Sequence, residues 1–192
     1  MATIRTFVGV QLSNHVNSRA MKLMRRLEAT EAGYNWVIPE NLHITLSFFG
    51  EIPDVEVPAL CKELKTAVLN DPLVNGPFDL VLRGSGCFPN SETPRVIWLG
   101  IEQGAEELQS LNETVQGIMQ ELGIPKDRYD YNPHLTLGRL RRGGRWNQQL
   151  LDVLKSSAKY DCGGCLVEQV CVFSSHLDRG GPTYTVMSSI DL

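Results

Sequence analysis

Apolar and polar residues alternate along "RTFVGVQL" (residues 5–12), placing Thr6, Val8, Val10 and Leu12 on one face of an extended strand and Arg5, Phe7, Gly9 and Gln11 on the other. The first face reads as core. Beyond Ser13 and Asn14, either of which can cap a helix, the period changes. Val16, Ala20, Leu23 and Leu27 recur at helical spacing and predict a helix from about His15 to Thr30. "NWVIP" and "HITLSFFG" then read as two short strands around the Pro39-Glu40-Asn41 turn, and a second helix is expected from Val55 to Leu69. After Asn70-Asp71-Pro72, "FDLVLRGSGCF" and "RVIWLGIE" predict strands joined by the loop "PNSETP". Ala105 to Leu122 is the clearest helix, stopped by Gly123 and Pro125. "HLTLGRL" is a strand and "WNQQLLDVLKSS" a helix after an arginine-rich turn. "CLVEQVCVFSSHL", a Gly-Gly-Pro turn and "TYTVMSSIDL" close the chain as a hairpin.

The order is strand, helix, paired strands, helix, and then much the same again. This predicts an α+β protein, residues 1–192 forming one domain of two pseudo-symmetric lobes, each a small antiparallel sheet backed by helices and facing the other across a central cleft. His-x-Thr-Leu occurs twice, at His43 and at His134, 91 residues apart. The two copies mark equivalent strands of the two lobes.

The bulk properties narrow the possible roles. A formal net charge of -4 and a pI near 5.6 exclude a protein that coats nucleic acid non-specifically, which needs many phosphate-neutralising cations. Any contact with nucleic acid must be local. No apolar run approaches a membrane span and the N-terminus does not read as a leader, so a soluble, cytoplasmic protein is expected, monomeric by default. Five cysteines, an odd number in a chain large enough to build a core, read as reduced thiols. Cys162-Gly163-Gly164-Cys165 has a metal or redox spacing but no second pair follows, and its glycines read as a turn.

Side chains at i and i+2 of a strand share a face, so His43 and Thr45 point into one space while Ile44 and Leu46 point into the core behind. His134 and Thr136 repeat this arrangement, with Leu135 and Leu137 behind. Two imidazoles aimed at one cleft suit a displacement that needs a base on one side and an acid on the other, because histidine titrates near neutrality. Phosphorus fits the layout: attack and departure lie in line, and threonine hydroxyls can face the equatorial oxygens. One such motif would read as ordinary strand polarity. Two matched copies, using two of only four histidines, make coincidence a poor account.

With these motifs in place, the chain resembles the two-histidine phosphoesterases, and within them the bacterial and archaeal RNA 2',3'-cyclic phosphodiesterases once described as 2'-5' RNA ligases. The resemblance covers "RTFVGVQL", "WVIPENLHITLSFFGEI", "GCFPNSETPRVIWLGIE", "YNPHLTLGRL" and "VCVFSSHLDRGGPTYTV". It implies a two-lobed fold with a central cleft, no metal or other cofactor, and hydrolysis of a 2',3'-cyclic phosphate on an RNA end or nucleotide to a 2'-phosphate. By the same resemblance His43 is the proton donor to the departing 3' oxygen, His134 the proton acceptor that activates water, and Thr45 and Thr136 bind the non-bridging oxygens. A strained, monoanionic diester is a substrate for which such groups can suffice.

Arg139 matches the family's arginine five residues after the second histidine. In a regular strand it points away from His134, so it reaches substrate only if the strand bends near Gly138. Phe7, on the face opposite the core, and Phe49, which shares parity with His43, are candidate platforms for a terminal base. Tyr131 is a further candidate to line the cleft. Trp36, Trp98 and Phe48 read as structural, His15 as a helix-start surface residue and His176 as a loop residue. Arg141, Arg142 and Arg145 with Trp146 read as a solvated turn. Two alternatives stand beside hydrolysis: 2'-5' ligation as its reverse, and a non-catalytic binder of RNA ends or nucleotides, against which the intact histidines and threonines speak.

Overall fold

The computed structural model describes residues 2–125, 130–178 and 181–192. Its strands are β1 (Thr3–Gln11), β2 (Tyr34–Trp36), β3 (His43–Pro53), β4 (Phe78–Phe88), β5 (Val96–Gln103), β6 (His134–Leu140), β7 (Asp161–Val167), β8 (Gln169–Asp178) and β9 (Gly181–Asp191). Its helices are α1 (Asn14–Glu28), α2 (Val57–Leu69), α3 (Ala105–Glu121) and α4 (Gln148–Ser156). Single 3-10 turns at Pro39–Asn41 and Asp54–Glu56 lead into β3 and α2.

Local chemistry explains where the helices begin and which faces they bury. Ser13 Oγ accepts from the Val16 amide at 3.3 Å, satisfying an otherwise free donor of the first turn of α1, whose stripe Val16, Ala20, Leu23, Met24 and Leu27 is buried. Asn147 caps α4 in the same way through the Leu150 amide at 2.9 Å. The first strand buries Thr6, Val8 and Val10 as their alternation predicts.

Every paired strand is antiparallel, in the order β7-β4-β5-β6-β3-β1-β8-β9, with β2 beside β6. One lobe contains β1, β3, β8 and β9, and the other β4, β5, β6 and β7. They meet along a thin seam where β3 and β6 pair at Ile44↔Leu135, both residues fully buried. This is the one register pair that β3 and β6 share among the described residues.

Three features of the connectivity differ from a simple succession of lobes. Helix α1 follows β1 yet packs on β7, with α4 against it, while α3 follows β5 yet packs on β3 alongside α2. The amphipathic stripes are covered by whichever sheet face is bare, not by the neighbouring strand in sequence. "CLVEQVCVFSSHL" is two strands, because Glu168 alone separates β7, which pairs with β4, from β8, which pairs with β1. His176 is an exposed residue of β8 opposite Thr183, not a loop residue. The turn between β8 and β9 at residues 179–180 lies outside the described residues.

Candidate active site

The two motifs take up the same local geometry. His43 Nδ1 lies 2.7 Å from the Asn41 carbonyl and His134 Nδ1 lies 2.7 Å from the Asn132 carbonyl. A carbonyl only accepts, so Nδ1 carries the hydrogen in both rings and the Nε2 lone pair is left to act. Each Nε2 faces the hydroxyl two residues on, Thr45 Oγ1 at 2.9 Å and Thr136 Oγ1 at 3.1 Å. The hydroxyl donates when the ring is neutral and accepts when it is protonated. Because Ile44 and Leu135 are partners in antiparallel strands, each histidine lies across the seam from the other motif's threonine.

The surroundings of the two rings differ. His43 is walled by aromatic rings: Phe7 at 4.9 Å, Phe173 at 5.8 Å and Tyr184 edge-on at 5.2 Å between centroids. His134 has Phe88 edge-on at 5.1 Å. Burial pushes both imidazoles below their ordinary value, the Asn41 and Asn132 carbonyls oppose the shift, and the Arg139 guanidinium adds to it. His134 lowers His43 further. Both rings are therefore neutral near pH 7 in the free protein.

A matched irregularity follows each motif. Along β1 and β3, Val8 pairs with Ser47 and Gly9 with Thr45, so Leu46 is an extra residue in β3. Along β5 and β6, Ile97 pairs with Gly138 and Trp98 with Thr136, so Leu137 is the extra residue in β6. Each bulge turns two consecutive side positions inward (Leu46 and Ser47; Leu137 and Gly138) and reverses the alternation beyond. Arg139 thereby reaches the cleft side, which meets the condition that the strand bend near Gly138. Trp36 lies across that glycine so closely that a Cβ there would be 2.5 Å from its ring.

The structure corrects three expectations, the first through this reversal. Phe49 is 4% exposed and belongs to the core, while Phe48, which parity assigns to a structural role, is 45% exposed on the cleft side. Phe7 is 1% exposed, stacked on Phe173 at 4.8 Å, so it supports His43 and cannot receive a base. The Tyr131 hydroxyl donates to the Thr45 carbonyl at 3.0 Å, an engagement with the strand instead of with open space.

His43, Thr45, Thr136 and Arg139 line a pocket of about 50 Å³ together with Phe48 and Tyr184. His134 adjoins it through Thr136. The hollow is small, and the exposed Phe48 stands at its border. A larger hollow of about 550 Å³ is bordered by Glu168 and Asp191, whose carboxylates disfavour an anion. Among the described residues, no three His, Cys, Asp or Glu side chains converge into a group that could hold a metal ion. The five cysteines are free thiols. Cys162 is buried, its thiol pushed up to about 12 by burial, and its sulfur donates to the Val16 carbonyl. Arg141, Arg142, Arg145 and Trp146 lie exposed in the turn after β6.

Sequence reasoning passes over Phe48, Tyr184 and the two carbonyls. A carbonyl has no residue signature, although asparagine two places before each histidine, in "NLHIT" and "NPHLT", gives a hint. Phe48 had a signal in its offset, since it stands five residues after His43 as Arg139 stands five after His134.

Two interleaved α+β lobes that each present a His-x-Thr segment to a shared cleft are the arrangement of the two-histidine phosphoesterases. The sequence profile described as "LigT like Phosphoesterase" matches residues 10–98 and 99–184, and the chain belongs to that family. A protein of Aquifex aeolicus (strain VF5) named RNA 2',3'-cyclic phosphodiesterase is 31% identical over 193 aligned positions, spanning all of this chain and 99% of its own. One of Methanothermobacter thermautotrophicus with the same name is 31% identical over 96% of each chain. The crystal structure of the Thermus thermophilus protein TT0787 superposes with a TM-score of 0.78 at 29% identity, covering 98% of both chains.

Proposed function

We propose that this chain hydrolyses a 2',3'-cyclic phosphate on an RNA end or nucleotide to a 2'-phosphate, without a metal, within a single two-lobed domain. The observation that carries the mechanism is the duplicated hydrogen-bond pattern, in which a main-chain carbonyl fixes the hydrogen on Nδ1 and leaves Nε2 of each histidine beside a threonine hydroxyl. Hydrolysis of a cyclic phosphate is supported by the relatives' names and the family.

In this reading His134 Nε2 takes a proton from water as its oxygen bonds to phosphorus. The phosphorus–O3' bond breaks and His43 Nε2 delivers a proton to the departing O3', leaving a 2'-phosphate monoester. Thr45 and Thr136 hydroxyls and the Arg139 guanidinium stabilise charge on the non-bridging oxygens. His43 must carry a proton at that moment although burial lowers its affinity for one. The substrate supplies the remedy, since its negative charge in the pocket favours the imidazolium. The sugar and base lie over Phe48 and Tyr184, and aromatic faces hold unpaired bases of any sequence.

Hydrolysis of 2',3'-cyclic AMP, and of a short oligoribonucleotide ending in a 2',3'-cyclic phosphate, tests this in the presence of EDTA with 2' and 3' products resolved. A 2'-phosphate is expected. A 3'-phosphate would exchange the leaving oxygen and with it the roles of the two histidines, and no turnover of either substrate would overturn the assignment.

A further inference from the structure

Tyr131 precedes His134 by three residues in the segment leading into β6, yet its hydroxyl donates to the main-chain carbonyl of Thr45 on β3 at 3.0 Å. The bond thus runs from the segment carrying the second motif to the strand carrying the first. Its acceptor lies beside an irregularity: Thr45 pairs with Gly9 of β1, but the β1–β3 register shifts at the next residue, Leu46, and β3 pairs with β6 at Ile44↔Leu135. Side chains take over at that place. Buried Asn112 of α3 donates through Nδ2 to the Leu46 carbonyl at 2.8 Å and to Ser47 Oγ at 3.1 Å, and Gln116 Nε2 donates to the same Oγ at 2.8 Å. These two residues hold the bulge from its own lobe. Tyr131 holds it from the opposite motif.

The backbones of β3 and β6 pair at one position, so main-chain pairing alone sets their angle weakly; the interleaved helices and the Tyr131 bond are the contacts that set it further. In-line displacement needs both Nε2 atoms on opposite sides of one phosphorus, so the angle across the seam sets whether base and acid are in reach together. We infer that Tyr131 is a positioning residue, a clamp that fixes the two His-x-Thr motifs relative to each other through the Thr45 carbonyl, and is not a ligand of the substrate. The inference rests on the two-histidine reading of the reaction. Burial raises the Tyr131 phenol well above its ordinary value, so it remains a donor across the range in which the histidines titrate.

Tyr131→Phe keeps the ring and removes the donor. Because misplacing reacting groups by about 1 Å can cost ~100-fold, kcat should fall about 10- to 100-fold. KM for 2',3'-cyclic AMP and the Kd of 2'-AMP should stay within about two-fold, since the atoms that touch substrate remain. Tyr131→Leu, which also removes the ring's packing, should lower the melting temperature further while reducing kcat little beyond the Phe variant. Unchanged kcat in Tyr131→Phe, or a raised KM at constant kcat, would overturn the clamp. So would a kcat that tracks melting temperature across the two variants. His43→Ala and His134→Ala serve as reference: if they keep turnover, the two-histidine reading itself has failed, whereas if they lose it and Tyr131→Phe does not, only the clamp has.

Discussion

Phe48 and Arg139 are counterparts: each follows its histidine by five residues, and each reaches the cleft because one leucine, Leu46 or Leu137, is bulged out of register just before it. The pseudo-symmetry of the motifs therefore extends beyond the histidines and threonines, and it breaks where the substrate is asymmetric. One side offers a cation suited to phosphate and the other an aromatic face suited to a base.

Replacing Phe48 with Ala should raise KM for the cyclic nucleotide by about 5- to 150-fold, corresponding to ~1–3 kcal/mol for stacking on one base, with a small effect on melting. Phe49→Ala should do the reverse, losing about 3–5 kcal/mol of stability because its ring is in the core. Steady-state kinetics and thermal melts of both variants separate the two outcomes.

His43→Ala and His134→Ala should each lower kcat by at least about 10²- to 10⁴-fold, the range for general acid–base catalysis, with the Kd of 2'-AMP changed far less. Thr45→Ala and Thr136→Ala should lose about 10²- to 10³-fold as donors to the transition state. Calorimetric titration of product into each variant measures the binding half of this prediction.

Both histidines are lowered chiefly by burial, so in the proposed mechanism the base, His134, should stay neutral down to pH values below the ordinary ~6.5. The acid, lowered as well, loses its proton in the free enzyme as pH rises through the same region. The kcat/KM profile should therefore be a bell centred on the acid side of pH 6.5. The kcat profile should lie at higher pH, because bound phosphate raises the affinity of His43 for its proton. Coincident profiles would contradict the role given to the substrate's charge.

Phe7→Leu should leave an apolar core while thinning the wall that desolvates His43. With less desolvation the ring gains proton affinity, so the alkaline limb of kcat/KM should move to higher pH. Proton titration of the His43 ring by NMR, in the wild type and the variant, gives the sign directly.

Gly9 lets β1 lie against the first motif: a Cβ there would be 2.5 Å from the Ile44 carbonyl oxygen and 3.4 Å from the His43 ring. Backbone cannot yield as a flexible side chain can. Gly9→Ala should cost about 1–3 kcal/mol in melting and reduce kcat, because relieving the clash displaces the strand that carries His43.

Much of the site is written in local pattern. Alternation around "HITL" and "HLTL" buries Ile44 and Leu135 and sets each histidine with its threonine on the other face, since a strand's period of two is a property of the backbone itself. Helix caps at Ser13 and Asn147 likewise involve groups within three residues of each other. The choice of Phe48 over Phe49 is of another kind. Parity counted from His43 selects Phe49, and only the register of β3 against β1, supported by Asn112 and Gln116 from a helix some 65 to 70 residues away, inserts the extra residue that reverses it.

What the sequence determined on its own was the kind of each element, the core face of the motif strands, and the two histidine–threonine pairs with the chemistry they can perform, because these depend on spacing along one chain segment. Tertiary structure decided the interleaving of the helices, the burial of Phe7 behind His43, the exposure of Phe48 and the contact of Tyr131 with Thr45. Each of those depends on which distant surface remains to be covered and which carbonyl remains to be satisfied, and those demands exist only once the strands have paired.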